Sequence, residues 1–119
     1  MAIYSGFFEY GGRGHVTMHY NPGKKCFLPC SEGTEVKIRV IGKYSDTDID
    51  ADIVEVILPS GQVLKEQRKG TLLHVTRATR NGVSPVQSGI RATKNPHLIK
   101  KVTPYTIRAK AGFFKGGKR

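Results

Sequence analysis

The chain has 119 residues, 38% of them hydrophobic and 24% charged, with a net charge of +11, which excludes wholesale disorder and favours one domain with a modest core. No stretch approaches the roughly 20 apolar residues of a membrane-spanning helix, and the first residues lack the basic and apolar regions of a signal peptide. We therefore expect no membrane partner and a location in the cytoplasm or within an intracellular or virion assembly.

The predicted elements are short strands separated by turns. Alternating apolar and polar side chains over residues 35–44 are typical of a strand with one wet face. Two hairpins are predicted, one around the glycine-rich turn at residues 11–14 and one around the Pro-Ser-Gly turn at residues 59–61. The strands are expected at residues 4–10, 15–20, 35–44, 51–58, 62–66 and 71–80.

The C-terminal third is predicted to be less regular. Residues 81–104 hold three prolines, two glycines and two asparagines, which favour a long irregular loop, with one helical turn over residues 95–101 that has Pro96 at its first position. A last strand is expected at residues 101–110, where Pro104 fits only an edge or a bulge. We therefore predict one β-rich domain over residues 1–111 and a basic glycine- and lysine-rich tail over residues 112–119.

Five or six strands with little helix indicate an all-β fold, either a small barrel or a sandwich. Oligonucleotide-binding (OB-like) and SH3-like barrels are the candidates, because five curved strands suffice for either. The tripeptide Gly-Phe-Phe occurs at residues 6–8 and again at residues 112–114. This repeat predicts a contact between the terminal strands, unless it arose by chance.

Charge is sorted along the chain. Residues 1–60 hold six Lys or Arg and eight Asp or Glu, a net charge of −2, whereas residues 61–119 hold fourteen Lys or Arg and one acid, a net charge of +13. A half this basic is best stabilised by a polyanion, of which nucleic acid is the commonest. A merely solubilising surface is the alternative, but such surfaces intersperse acids with bases.

The basic half is predicted to bind nucleic acid, mainly through phosphates. No recognition helix is apparent, which favours single-stranded or structured RNA or DNA over duplex grooves. Tyr105 lies between cations and suits base stacking, as do Phe113 and Phe114, whereas the other rings are expected in the core. The candidate nucleic-acid-binding residues are Lys65, Arg68, Lys69, Arg77, Arg80, Arg91, Lys94, Lys100, Lys101, Tyr105, Arg108, Lys110, Lys115, Lys118 and Arg119.

The alternative function is structural. A subunit of a virion or ribonucleoprotein assembly also needs basic arms, which become ordered against neighbouring subunits or further copies of the chain. No serine lies in a nucleophile motif, and no glycine-rich segment matches a phosphate-binding loop. The sequence therefore gives no support to an enzyme.

Four metal-capable side chains lie within sixteen residues: His15, His19, Cys26 and Cys30. Two imidazoles and two thiolates are a standard structural zinc set, and in a regular strand the histidines share one face. The spacing is unusual for zinc, so two buried thiols and two surface imidazoles are the alternative. No other cofactor is predicted.

Four aspartates alternate along the chain at residues 46, 48, 50 and 52. The run departs from a calcium loop, because residue 51 is Ala and residue 57 is Ile where Gly and Glu belong. The main prediction is a solvated loop and edge strand. A magnesium site for nuclease chemistry, or a phosphate mimic that pairs with the basic half of a neighbouring copy, are the alternatives.

Overall fold

Antiparallel strands make up most of the computed structural model, which describes residues 2–12, 14–22, 28–67 and 70–115. Within these residues the chain forms seven strands, one α-helix and one 3₁₀ helix. In chain order they are β1 (Ala2–Glu9), β2 (His15–Pro22), β3 (Glu35–Ser45), β4 (Ile49–Ile57), β5 (Val63–Leu64), β6 (His74–Thr79), α1 (Gln87–Lys94), the 3₁₀ helix Pro96–Leu98 and β7 (Ile99–Lys115). The predicted all-β fold class is confirmed.

The strands form one curled antiparallel sheet, a half-barrel that is compatible with the predicted small barrel. The strand order is β2-β1-β7-β3-β4-β5, and β6 pairs with the same edge of β4 as β5 does. The first and last strands of the chain are therefore neighbours. Gly6 lies opposite Gly112, which confirms the predicted contact between the two Gly-Phe-Phe segments.

The inner face of the half-barrel holds the main core. Alternate residues of a strand project to one face, and residues paired across neighbouring strands project to the same face. Burial of apolar surface contributes roughly 25 cal/mol per Å², so this face is the main source of stability. Its most buried side chains are Phe7, Val16, Val36, Ile38, Val40, Val54, Val56, Leu73, Val75, Ala109 and Ala111.

A bulge separates this core from a smaller one. Between Val40 and Gly42 of β3 the register shifts, so that residues 102–104 of β7 lie opposite a single residue of β3. Pro104 lies in this irregular stretch, as the sequence predicts. Beyond the bulge a second core forms on the outer face of the sheet, where α1 covers it. Its buried side chains are Tyr44, Ile49, Ala51, Ile53 and Ala92.

The prediction of one long irregular loop over residues 81–104 is wrong for residues 87–94, which form α1, and for residues 99–104, which belong to β7, whereas the 3₁₀ helix confirms the helical turn predicted from Pro96. The buried side of α1 consists of Ser88, Gly89 and Ala92. Gly89 and the preceding Pro85 are typical of a loop, and in the sequence they outweigh the short helical pattern around them. Two basic residues in its last turn interact favourably with the carbonyl end of the helix.

The last strand is longer than predicted. β7 begins within the predicted loop and continues through residues 112–115, which were assigned to the tail, because these residues pair with β1. The remainder of the predicted tail, residues 116–119, lies outside the described residues. Among the described residues, no helix has both the length and the apolar character needed to cross a membrane.

Candidate nucleic-acid interface

The structure separates the predicted nucleic-acid-binding residues into groups that face different directions. Two arginines, Arg80 and Arg91, pair with aspartates in or next to the loop between β3 and β4. One end of the inner face holds Arg77, Lys100 and Tyr105. The outer face holds Lys65, Arg108 and Lys110, and the side that α1 covers holds Lys94 and Lys101. Arg68, Lys69, Lys118 and Arg119 lie outside the described residues, as does the side chain of Lys115.

The aspartate run binds arginines of its own chain. Arg91 of α1 donates to Asp46 at 3.3 Å and to Asp48 at 2.9 Å. Arg80 donates to Asp50 at 2.9 Å and also to two backbone carbonyls of the same loop. The pairing between acidic run and basic half is therefore formed within one chain. Two of the predicted phosphate ligands already hold carboxylates.

Asp46 has the least exposed side chain of the three aspartates that pair with Arg80 or Arg91. Burial disfavours its ionised form, but hydrogen bonds from the Tyr44 hydroxyl, the backbone N–H of Asp48 and the Arg91 guanidinium outweigh burial and lower its pKa to about 2. Burial, reinforced by the hydrogen bond to this carboxylate, raises the pKa of Tyr44 to about 12. The ionised carboxylate and the neutral phenol thus stabilise one another.

This pair predicts how stability depends on pH. The lowered pKa of Asp46 stabilises the folded state above about pH 4, and this stabilisation is lost as the pH falls towards 2. The raised pKa of Tyr44 stabilises the folded state below about pH 10, and this stabilisation is lost as the pH rises from 10 to 12. Asp46→Asn should therefore cost about 1–2 kcal/mol at pH 6 and progressively less down to pH 2. Urea unfolding at several pH values measures both limbs.

Asp50→Asn is the matched control, because the Asp50 carboxyl is about half exposed, with 44% of its side-chain surface accessible. We expect a smaller cost at pH 6 and a flatter pH dependence, since solvent screens exposed ion pairs. Parallel stability curves for wild type and Asp46→Asn would contradict the argument.

Four charged side chains alternate in sign at one end of the inner face. The Arg77 guanidinium donates to Asp52 at 2.9 Å and to Glu9 at 2.8 Å, and the Lys43 ammonium donates to Asp52 at 2.9 Å. The two carboxylate side chains are only 4% and 7% exposed, for Asp52 and Glu9. Arg77 of β6 thereby connects β4 to β1 across the inside of the half-barrel.

An exposed tyrosine lies beside this charge network. Tyr105 pairs with Val40 and so shares the inner face, yet it is 47% exposed, and its phenol contributes to raising the pKa of Lys43, after the larger effects of Asp52. Lys100 lies opposite Lys43, also on this face, and no described carboxylate pairs with it. We call Lys43, Lys100 and Tyr105 the mouth patch. The predicted exposure of Tyr105 is confirmed, and Phe113 is likewise exposed.

A second basic and aromatic surface lies on the outer face. The Arg108 guanidinium lies 5.0 Å from the centroid of the Tyr10 ring and also donates to Glu35. Lys37 is opposite Arg108 across β3 and β7, and Lys110 is two residues further along β7. Both lysines are exposed and have no ion pair with any described carboxylate. We call Tyr10, Lys37, Arg108 and Lys110 the outer patch.

Three residues of these patches are missed by sequence analysis. Tyr10, Lys37 and Lys43 lie in the half of the chain whose net charge is negative, so the sorting of charge directs attention away from them. Their only sequence signal is a polar or aromatic position in an alternating strand. Which of them meets β7 depends on strand order and register, which a single sequence does not specify.

The described members of the predicted zinc set do not form a metal site. Cys26 lies outside the described residues, and within them no group of three or more His, Cys, Asp or Glu side chains lies close enough to hold a metal ion. His15 and His19 pair with Phe8 and Ser5, which are three residues apart in β1 and so project to opposite faces. The prediction that the histidines share a face is wrong, because a bulge in β2 separates them.

No protein-family model, curated protein or solved structure matches this chain.

Proposed function

We propose that the protein binds single-stranded or structured nucleic acid, and that the outer patch holds phosphates. The observation that carries the proposal is the pair of exposed lysines, Lys37 and Lys110, whose ammonium groups form no ion pair with a described carboxylate, although Glu35, which Arg108 binds, lies opposite Lys110. Each ammonium group that neutralises a phosphate releases a condensed counterion, which is the main source of backbone affinity. The neighbouring Tyr10 ring is 45% exposed and offers a surface for a base.

The paired arginines are weaker candidates for phosphate contacts. Arg77, Arg80, Arg91 and, within the outer patch, Arg108 each hold carboxylates at 2.8–3.3 Å, so a phosphate must replace an anion that is already bound. The net gain from such an exchange is smaller than the gain from an ammonium group that only water surrounds. Lys65 is intermediate, because its ammonium lies 3.9 Å from Glu55.

The form of the ligand follows from the shape of the surface. The outer patch lies mostly on strands, and α1, the one α-helix among the described residues, lies beyond the bulge and not in the patch. Strand surfaces with aromatic and basic side chains suit unstacked bases and flexible phosphates. The proposal assigns binding and no catalysis, in the cytoplasm or within an intracellular or virion assembly.

The proposal predicts a salt-dependent interaction that two lysines control. Fluorescence anisotropy with labelled single-stranded RNA, single-stranded DNA and duplex DNA, at several salt concentrations, measures it. For single strands, each phosphate contact contributes about 0.7 to the slope of log affinity against log salt. Lys37→Ala combined with Lys110→Ala should therefore reduce that slope by about 1.4 and the affinity on the order of tenfold at 0.1 M salt.

Lys94→Ala combined with Lys101→Ala is the matched control, because it removes the same net charge from the side that α1 covers. Equal losses from both double variants would show that net charge alone matters and would remove the outer patch from the proposal. Flat, weak binding of the wild type to all three ligands would overturn the function itself. The structural-subunit hypothesis, with partners among neighbouring protein surfaces, would then replace it.

A further inference from the structure

The two patches lie on opposite faces of the sheet but share β7. Arg108 and Lys110 project from its outer face, whereas Tyr105, between Pro104 and Arg108, and Lys100, beyond Pro104, project from its inner face. Tyr105 and Arg108 face opposite ways because they are three residues apart in a regular stretch, and the bulge at residues 102–104 places Lys100 on the same face as Tyr105. One strand therefore leads from Arg108 of the outer patch to Tyr105 over about 10 Å and to Lys100 over about 25 Å, at roughly 3.3 Å per residue.

The edge of β7 between the patches is open. β1 pairs with residues 109–115 of β7 and no further, and the last backbone hydrogen bond on that side runs from the Tyr10 N–H to the Arg108 carbonyl. Residues 99–107 have no described strand on that side, and residues 103–106 are all exposed. A ligand can cross this edge from the outer face to the inner face without displacing any described element.

We infer that a single strand of nucleic acid held on the outer patch wraps around this open edge and reaches the mouth patch, where a base stacks on Tyr105. The inference rests on the proposed function and specifies its ligand further. Lys43, which Asp52 already binds, interacts electrostatically with the Tyr105 phenol, and Lys100 lies opposite Lys43 on the same face. Lys100 holds a phosphate next to the stacked base. Unpaired N–H and C=O groups along the edge offer additional hydrogen bonds to the strand.

Only a flexible ligand can follow this path. Duplex DNA has a persistence length of about 150 base pairs and does not turn around the edge of one β-strand. A short oligonucleotide fills the outer patch and ends before the mouth. Small β-barrels bind about 4–16 nucleotides of single strand, so oligonucleotides of about 4 and about 12 nucleotides separate partial from full occupancy.

The test measures the affinity of Tyr105→Ala for three ligands: single strands of about 4 and about 12 nucleotides and a duplex of about 12 base pairs. We expect the variant to bind the longer single strand on the order of tenfold more weakly, and the other two ligands within about twofold of wild type. Tyr105→Phe should restore the affinity, because the ring face is retained. Val63→Ala removes an exposed apolar side chain from β5, which two strands separate from β7, and should change nothing.

The outcomes separate the inference from the function on which it rests. If wild type binds no ligand, both are overturned. If wild type binds and Tyr105→Ala binds every ligand as wild type does, the outer patch acts alone and no strand reaches the mouth. An equal loss for all three ligands also overturns the inference, because Tyr105 would then belong to the primary site. Urea midpoints equal to wild type show that the variant is folded.

Discussion

Replacement of Arg77 by alanine should lower the free energy of unfolding by about 3–5 kcal/mol, the largest effect we expect from any single side chain. The guanidinium is the shared partner of Glu9 and Asp52, whose side chains are 7% and 4% exposed. Without it, no described Lys or Arg pairs with the Glu9 carboxylate, and among the described residues Asp52 keeps the ion pair with Lys43. An uncompensated charge in a largely dry site costs several kcal/mol, whereas the intact pair adds little by itself. Urea unfolding at pH 7 measures the loss.

Lys43→Ala is the control for this prediction. Its ammonium side chain is 56% exposed, and its removal leaves Asp52 bound to Arg77, so the cost should be about 1 kcal/mol or less. Glu9→Gln combined with Asp52→Asn in the Arg77→Ala background should recover part of the stability, because the orphaned charges are then absent. Equal costs for Arg77→Ala and Lys43→Ala would contradict the assignment of Arg77 as the link across the inner face.

The same variant separates the phosphate-binding role that the sequence predicts for Arg77 from the structural role that its contacts indicate. As a phosphate ligand, Arg77 would contribute to nucleic-acid affinity, and its loss would leave the fold intact. As a link between β1 and β4, Arg77 contributes to stability. Arg77→Ala that is still folded in the absence of denaturant would then bind nucleic acid with the affinity of wild type. The hydrogen bonds to Glu9 and Asp52 favour the second role.

The strands could be predicted because their alternation is strong and their turns are explicit. The alternation in β3 gives its bounds to within one residue, and the turn at residues 59–61 joins β4 to β5 as expected. α1 could not be predicted, because its contact surface consists of small residues. Gly89 packs so closely that a Cβ atom there would lie 2.4 Å from the His74 ring. Close approach of this kind depends on the tertiary structure and leaves no periodic signal.

The candidate site was only partly predictable for a related reason. Charge sorting indicates a polyanion partner, but it treats all cations alike. The structure distinguishes Arg80, which holds Asp50, from Lys110, which holds no described carboxylate. The aspartates lie 30 to 45 residues before their arginines, and only the pairing of β4 with β6 and the position of α1 bring them together. Register and topology, which the local sequence does not encode, decide which cations remain accessible.

Gly6→Ala should cost about 3 kcal/mol, the second largest effect we expect. Gly6 lies at the bulge where β2 crosses closest to β1, and a Cβ atom there would lie 2.0 Å from the Val16 carbonyl oxygen and 3.0 Å from its carbon. Both atoms belong to the backbone, so no side-chain rotation relieves the overlap. The two strands must separate, and Val16, which is fully buried in the inner core, must move with them. Thermal or urea unfolding measures the cost.

Gly112→Ala provides a control at the equivalent glycine of the second Gly-Phe-Phe segment, directly opposite Gly6 across β1 and β7. There the nearest atom to an added Cβ is a carbon of the Phe8 ring at 3.1 Å, and a ring can shift by a few tenths of an ångström. We expect a cost below about 1 kcal/mol, since alanine also restricts the unfolded chain more than glycine does. If the two variants lose the same stability, the loss reflects glycine in a strand generally, and the close approach of β2 is not what requires Gly6.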